Sequence, residues 1–333
     1  MASAPVIDVG PLLLDADADA AAVESAVAQV GAACREWGFF QAVGHGVPDA
    51  LLARFNAQAR AFFSAPASVK RAVFRSADNP RGYFDDELTK RRRDWKEGFD
   101  YGGPEGNPVD GENRWPDPDA LPRFRETLTQ YFDAMVGLAS ALTAAVARSL
   151  GLDPGALAGA LGRRHASLLR LNHYPECPNP EGNLGVSPHK DVGMLTLLLQ
   201  DDVGGLQVEH GGEWVDIPPI EGAYVVNVGD MMQVFSNDAI CSPVHRVVPP
   251  REGSRYSAPF FYNPAHDTVC EPIASVADPK ATVLYRPFTW AEFIGKRLAG
   301  NLEDLGEEVQ IAHYRVQSAP GTQASELRSQ QVC

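Results

Sequence analysis

The first half of the chain carries apolar side chains at helical spacing. Three stripes, each with steps of three and four positions, run over residues 23–37, 51–63 and 124–150. This spacing is typical of helices that bury one face, so we predict three amphipathic helices. The stretch 102–119, between the second and third helices, is rich in Gly, Pro, Asn and Asp, and we predict a loop there that lines or covers a site.

From about residue 167 the pattern changes to alternation or to short apolar runs divided by turn signals. About eight short strands in roughly a hundred residues predict a closed or double-sheet β architecture, of which the jelly roll is the eight-stranded example. Residues 288–298 return to helical spacing and predict a closing helix. The predicted strands are 167–174, 194–199, 205–208, 213–217, 224–228, 231–235, 244–248 and 256–262.

The charge balance argues against several classes of partner. The chain has 29 Lys and Arg against 43 Asp and Glu, and its formal net charge of −14 repels phosphate backbones and anionic membranes. No apolar run approaches the ~18 to 20 residues of a membrane span. The N-terminal segment lacks the positive residues of a secretory signal. We therefore expect a cytoplasmic monomer that binds neither nucleic acid nor membranes.

Candidate metal ligands lie in the β half of the chain. His189 and Asp191 are two positions apart, so in an extended segment both side chains leave the same face and can bind one ion. His245 begins another predicted strand, which a double sheet can bring beside the first. Two imidazoles and one carboxylate leave three octahedral positions open, the pattern of non-haem Fe(II) oxygenases. The five cysteines contain no C-x-x-C pair, which argues against a thiolate zinc site.

A candidate receptor for a carboxylate follows ten residues after His245. Alternation places Arg255 and Ser257 on one face of the strand that ends at Tyr262, so a guanidinium lies beside a hydroxyl. An isolated R-x-S is more often an arginine that stabilises a turn. The position downstream of His245 favours the receptor.

The order of these residues resembles the 2-oxoglutarate- and Fe(II)-dependent dioxygenases of the isopenicillin-N-synthase-like superfamily. The resemblance covers about residues 5–316, and within that family the chain is similar to plant-type small-molecule dioxygenases, the flavonol-synthase and lateral-branching-oxidoreductase-like group. Lys190 departs from the pattern, because many plant members carry a small polar residue there. The supporting motifs are Trp37-Gly38-Phe39-Phe40, Arg93-Asp94-Trp95-Lys96-Glu97, residues 170–178, His189-Lys190-Asp191, His245 and Arg255-Tyr256-Ser257.

The resemblance implies a site and a reaction. It implies that His189, Asp191 and His245 hold Fe(II). It further implies that Arg255 and Ser257 bind the distal carboxylate of 2-oxoglutarate. The implied requirements are Fe(II), 2-oxoglutarate as co-substrate, O₂, and ascorbate as a reductant, and the products include succinate and CO₂. The implied substrate is a small organic molecule, a specialised metabolite or a hormone-like compound, that is hydroxylated or desaturated.

Two further residues complete the implied 2-oxoglutarate site. The resemblance implies that the Tyr174 hydroxyl helps to bind the distal carboxylate. It implies that Asn172 lies near the metal-bound end of the same molecule.

Aromatic residues are candidates for contact with the substrate. Phe261 follows the carboxylate receptor on the same strand, so we predict that it points into the barrel, although ordinary core packing stays open as an alternative. We expect Tyr83, Phe84 and Trp95 to contribute to a lid over the site.

These features predict a mixed α+β protein with a mainly β core, a double-stranded β-helix or jelly roll. We expect residues 1–150 to form a helical N-terminal region and residues 151–316 to form the Fe(II) and 2-oxoglutarate catalytic domain with its closing helix. The polar segment 317–333 is predicted to be a disordered tail.

Two rival functions stay open at the level of sequence. One is an Fe(II) oxidase of the same superfamily that uses no 2-oxoglutarate and turns the R-x-S pair onto its substrate. The other is a non-catalytic sensor that keeps the barrel as a binding cup for a small ligand.

Overall fold

Two β-sheets face each other across a cavity in the computed structural model of the protein. The large sheet has eight strands in the order β1-β2-β12-β9-β14-β7-β6-β3, and the small sheet has four in the order β11-β10-β13-β8. In the large sheet β1 and β2 pair in parallel, and all other neighbours are antiparallel. The structure describes residues 3–13, 19–76, 78–89, 92–103, 110–162, 164–180, 183–273, 282–302 and 309–316.

The strands of these sheets are short, as the sequence pattern predicts. Two further pairs, β4 with β5 and β15 with β16, form small separate ribbons. The strands are β1 (Val6–Asp8), β2 (Phe39–Val43), β3 (Gly82–Phe84), β4 (Leu88–Thr89), β5 (Arg92–Arg93), β6 (Glu97–Gly102), β7 (Leu168–Tyr174), β8 (Val186–His189), β9 (Leu195–Gln200), β10 (Leu206–His210), β11 (Glu213–Asp216), β12 (Tyr224–Val228), β13 (His245–Val247), β14 (Arg255–Tyr262), β15 (Val269–Cys270) and β16 (Phe288–Thr289).

Helices pack on the outer face of the large sheet, and one helix follows the last strand. Single 3₁₀ turns lie at Gly10–Leu12 and Ile311–Tyr314. None of the helices in the described ranges is both long enough and apolar enough to cross a bilayer. The α-helices are α1 (Ala20–Glu36), α2 (Asp49–Ser64), α3 (Ala67–Ala72), α4 (Phe124–Ser149), α5 (Ala156–Leu161), α6 (Asp230–Phe235) and α7 (Trp290–Leu302).

The predicted fold class, a mixed α+β protein with a mainly β core, is confirmed. The three predicted amphipathic helices correspond to α1, α2 and α4, and the closing helix corresponds to α7. One predicted strand is wrong, because residues 231–235 belong to helix α6. All six residues of α6 are buried, so the helix has no exposed face and the periodicity of its short sequence does not distinguish a helix from a strand.

Four strands of the large sheet come from the part of the chain that was predicted as helical. They are β1, β2, β3 and β6, and they join the later strands through the pairs β2 with β12 and β6 with β7. The helical description of residues 1–150 is therefore incomplete, and the division at residue 150 stays a prediction. The segment 317–333, predicted to be disordered, lies outside the described residues.

Strand β14 separates the core from the cavity by alternation. Its residues Arg255, Ser257, Pro259 and Phe261 line the cavity. Phe260, between two of them, is fully buried and packs edge-on against Phe132 of α4 at 5.2 Å between ring centroids. Successive side chains of this strand therefore alternate between the packed core and the cavity.

This alternation predicts losses of stability of different size for two adjacent phenylalanines. Phe260→Ala leaves a cavity against α4 and should lower the free energy of unfolding by about 3 to 5 kcal/mol. Phe261→Ala removes a partly exposed ring and should cost only about 1 kcal/mol. Denaturant unfolding of the two variants measures both values. Equal losses would contradict the assignment of faces.

Candidate active site

The two candidate histidine ligands lie on adjacent strands of the small sheet. The register of β8 and β13 pairs His189 directly with His245, and their ring centroids are 4.2 Å apart. Directly opposed side chains of antiparallel strands lie close together on one face. The register therefore brings together two residues that are 56 positions apart in the sequence.

Asp191 completes the group from the loop between β8 and β9. Its Oδ1 atom lies 3.6 Å from His189 Nε2 and 3.7 Å from His245 Nε2. All three ligand atoms lie within 4.8 Å of one another, as donors to a single ion must. The structure thus places the three predicted ligands at one point on the cavity wall.

The remaining ring nitrogens face backbone carbonyls. His189 Nδ1 lies 2.8 Å from Ser187 O, and His245 Nδ1 lies 3.5 Å from Pro243 O. A proton on each Nδ1 satisfies these contacts and leaves each Nε2 lone pair for a metal.

Asp191 is held by a pair of side chains from the large sheet. Thr196 Oγ1 donates to Asp191 Oδ2 at 2.5 Å, and Asn227 Nδ2 donates to the same atom at 2.8 Å. Thr196 on β9 and Asn227 on β12 are themselves a cross-strand pair. Because Oδ2 accepts both hydrogen bonds, Oδ1 is the oxygen that faces the two imidazoles.

The protonation states of the group suit a divalent cation. Burial, reinforced by the nearby His245, lowers the pKa of His189 to about 3, so its ring is neutral at pH 7. Burial disfavours the charged form of Asp191, but the two imidazoles and the hydrogen bonds from Asn227 and Thr196 outweigh it and lower its pKa. Neutral imidazole nitrogens and one carboxylate oxygen form a donor set that fits Fe(II).

Gly229 allows the chain after β12 to approach the loop that carries Asp191. A Cβ atom at position 229 would lie 2.3 Å from Gly193 O and 3.0 Å from Asp191 O, which is closer than packing permits. The amide of Asp230 donates to Asp191 O at 2.8 Å across this contact. The loop geometry thus requires a residue without a side chain at 229.

The predicted carboxylate receptor lies on β14 and β7 of the large sheet. The register pairs Arg255 with Tyr174 and Ser257 with Asn172, so four residues that the sequence singled out meet as two cross-strand pairs. The guanidinium carbon of Arg255 lies 4.9 Å from the centroid of the Tyr174 ring. All four side chains line the same cavity as the metal ligands, which has a volume of about 240 Å³.

Arg255 has hydrogen bonds but no carboxylate partner among the described residues. Its guanidinium donates to Ser257 Oγ and to Gln200 Oε1, both at 3.3 Å. Its Nε atom is buried without a partner, as is Oδ1 of Asn172. A buried guanidinium with unused donors is costly unless a ligand satisfies it. Sequence reasoning missed Gln200, because a glutamine at a strand end carries no signal by itself.

A second polar wall of the cavity consists of ion pairs that the sequence did not reveal. Lys96 Nζ contacts Glu87 at 2.8 Å and Asp94 at 3.1 Å. Arg170 donates to both oxygens of Asp100, at 2.7 and 2.8 Å, and to Glu87 at 2.9 Å. Burial opposes the charge of Glu87, yet the cations hold its pKa at about 2. The charges of this wall are thus compensated within it.

The predicted aromatic contacts divide into two groups. Phe261 lines the cavity. Tyr83 and Phe84 are buried in β3 and do not reach it, although Phe84 lies under the guanidinium of Arg170 at 4.7 Å. Trp95 donates from Nε1 to Pro175 O at 3.1 Å and does not line the cavity either. The lid suggested for these three residues stays a prediction.

Family comparisons agree with this geometry. Residues 165–264 match the 2OG-Fe(II) oxygenase superfamily, and residues 4–118 match the family described as non-haem dioxygenase in morphine synthesis N-terminal. The two matches lie on either side of residue 150 and include the ligands and the receptor.

Several individual proteins are similar to this chain over most of its length. Gibberellin 20 oxidase 2 of Oryza sativa is 38% identical over 297 residues, which cover 87% of this chain and 74% of that protein. Jasmonate-induced oxygenase 4 of Arabidopsis thaliana is 36% identical over 269 residues, which cover 79% and 75%. The crystal structure of JOX2 in complex with 2OG, Fe and JA superposes with a TM-score of 0.80 at 30% identity and covers 94% of this chain and 88% of that one.

The hydrogen bonds to Asp191 predict that metal affinity depends on Thr196. Thr196→Val keeps the shape of the side chain but removes one of the two donors to Oδ2, so Mn(II) affinity should fall by about 10- to 100-fold. Calorimetric titration of the metal-free protein measures the affinity. Thr143→Val is the matched control, because it removes a buried hydroxyl on α4 that has no described hydrogen-bond partner. Equal Mn(II) affinities of the two variants would contradict the role of Thr196.

Proposed function

We propose that the substrate of this protein is a specialised metabolite or hormone-like compound, which the protein hydroxylates or desaturates. The chain belongs to the 2OG-Fe(II) oxygenase superfamily and is an oxygenase that acts on a small molecule with 2-oxoglutarate. The observation that carries the proposal is the placement of the His189, Asp191 and His245 group and the Arg255 receptor on the walls of one cavity.

In this proposal the residues divide the work between two ligands. The imidazoles of His189 and His245 and the Oδ1 atom of Asp191 hold Fe(II). Arg255 and Ser257 bind the distal carboxylate of 2-oxoglutarate. The structure of JOX2 with 2OG, Fe and JA supports this division, since the folds superpose over most of both chains.

Two more side chains orient 2-oxoglutarate. The Tyr174 hydroxyl reaches toward the distal carboxylate, because its ring lies against Arg255. Asn172 pairs with Ser257 and lines the same cavity, and the family resemblance assigns its amide to the metal-bound end.

Fe(II), when bound, would supply the redox chemistry, with O₂ as the oxidant and with 2-oxoglutarate as the co-substrate that is oxidised to succinate and CO₂. For hydroxylation the balance is one substrate C–H, one 2-oxoglutarate and one O₂ converted to C–OH, succinate and CO₂, with one oxygen atom in each of the first two products. The protein positions both organic molecules and excludes water, and Phe261 on the cavity wall provides an apolar surface for the substrate. Ascorbate would serve to keep the iron reduced.

Turnover experiments test the reaction. Anaerobic incubation with Mn(II), 2-oxoglutarate and a metabolite library, followed by identification of the retained compounds, should yield candidate substrates. Aerobic incubation of each candidate with Fe(II) and ascorbate should then give one succinate per oxidised product. Oxidation of a candidate without consumption of 2-oxoglutarate would favour an oxidase. Retention of a ligand to the same extent with and without the metal would favour a sensor.

The receptor assignment predicts a selective loss of 2-oxoglutarate affinity. Arg255→Ala removes a charge-assisted pair and should weaken 2-oxoglutarate binding to the Mn(II)-loaded protein by about 2 to 5 kcal/mol. Mn(II) affinity without 2-oxoglutarate should stay within about threefold of the wild type. Calorimetry measures both quantities.

Arg60→Gln provides the control for this measurement. Arg60 lies over the ring of Tyr256, on the other face of the strand that carries Arg255, so the variant removes an equal charge outside the receptor. Equal losses of 2-oxoglutarate affinity in both variants, or equal losses of Mn(II) and 2-oxoglutarate affinity in Arg255→Ala, would contradict the assignment.

We also propose that the protein acts as a cytoplasmic monomer without nucleic-acid or membrane partners. Its net charge of −14 supports this, because such a field disfavours anionic surfaces. Light scattering of the purified protein during size-exclusion chromatography checks the oligomeric state, and a dimer mass would contradict it.

A further inference from the structure

Lys190 is a cation on the wall of the cavity between two of the proposed metal ligands. Its neighbours in the sequence are His189 and Asp191, and its half-buried side chain lines the cavity. It makes no hydrogen bond and no ion pair with any described residue. Partial burial raises the free energy of an ammonium group that makes no direct contact with a carboxylate, and a bound anion in contact with it would lower that free energy.

The other cations that line the cavity have different surroundings. Lys96 and Arg170 contact the carboxylates of Glu87 and Asp100 within hydrogen-bond distance, so their charges are compensated. Arg255 has no described carboxylate partner, but 2-oxoglutarate supplies one under the proposed function. Under these assignments Lys190 is left without a carboxylate within hydrogen-bond distance among the described residues.

The surroundings of Lys190 combine charge with apolar surface. Arg297 of α7 lines the same cavity. Burial raises the pKa of Asp230 to about 6, and Arg297 and Lys190 oppose this rise because both cations lie near its carboxylate. Val192 and Ile294 add apolar surface to the cavity lining. A molecule with an anionic group and an apolar body matches this combination, and one such group beside Lys190 lies next to the metal position.

We propose that Lys190 binds an anionic group of the substrate, and that the substrate class is therefore a small carboxylic acid with an apolar body. The inference rests on the proposed function, because it assigns 2-oxoglutarate to Arg255 and leaves Lys190 for the substrate. It makes Lys190 a determinant of substrate specificity.

Paired ligands that differ only in charge test the proposal. The binding affinities of cinnamic, indole-3-acetic and jasmonic acid are each compared with the affinity of the corresponding methyl ester. The measurement is anaerobic calorimetry on protein loaded with Mn(II) and 2-oxoglutarate. At least one acid should bind wild-type protein about tenfold or more tightly than its ester. Lys190→Met should reduce that ratio to near one without changing ester or 2-oxoglutarate affinity. Lys190→Arg should keep a preference for the acid.

Lys296→Met is the control for loss of one positive charge, since Lys296 is exposed on α7 and paired with Glu292. It should keep the wild-type ratio. The proposal is overturned if wild-type protein loaded with Mn(II) and 2-oxoglutarate prefers none of the three acids to its ester. It is also overturned if Lys190→Met keeps the preference and changes only the stability, because that result is expected if Lys190 serves only to compensate the charge of Asp230. Wild-type protein that binds neither Mn(II) nor 2-oxoglutarate would instead overturn the proposed function itself.

Discussion

The register between strands β8 and β13 is the constraint on which the site depends. It sets His189 opposite His245, and the loop after β8 then needs only two residues to bring Asp191 between them and the large sheet. A slip of one residue would turn every side chain of a strand to the other face. The cross-strand pair of the partly buried Val186 and the buried Val247 joins the same two strands to the apolar core, so core packing helps to fix the position of the metal ligands.

The same constraint operates in the large sheet. Arg255 and Ser257 reach the cavity because alternate positions of β14 face the helices, where Phe260 packs against Phe132 of α4 and Tyr256 lies near Phe63 of α2. The pair Thr196 and Asn227 spans β9 and β12 and joins this sheet to Asp191 of the small-sheet loop. Metal centre and carboxylate receptor are thus held by one network of strand pairings, so changes in core packing should be felt at both.

The sequence revealed those parts of the fold and site that depend on local spacing. The strand that contains Ser257 and the H-x-D pair are short patterns with a period of two, and long helices such as α4 repeat every three or four positions. Helix α6 was misread because it is buried on all sides. Thr196, Gln200 and Glu87 were missed because their roles depend on partners that only the folded chain brings near, and each looks ordinary in its own segment.

Charge explains why the cavity needs cations that are not neutralised by the protein itself. A net charge of −14 opposes the approach of anions such as 2-oxoglutarate. Salt screens that field beyond about 8 to 10 Å, so the charges inside the cavity decide whether an anion is bound. The compensated wall around Glu87 contributes hydrogen bonds but little net field, whereas Arg255 and Lys190 supply positive charge at different positions along the cavity. An acidic protein can in this way bind an acidic co-substrate, and a second anion beside it, without a basic surface.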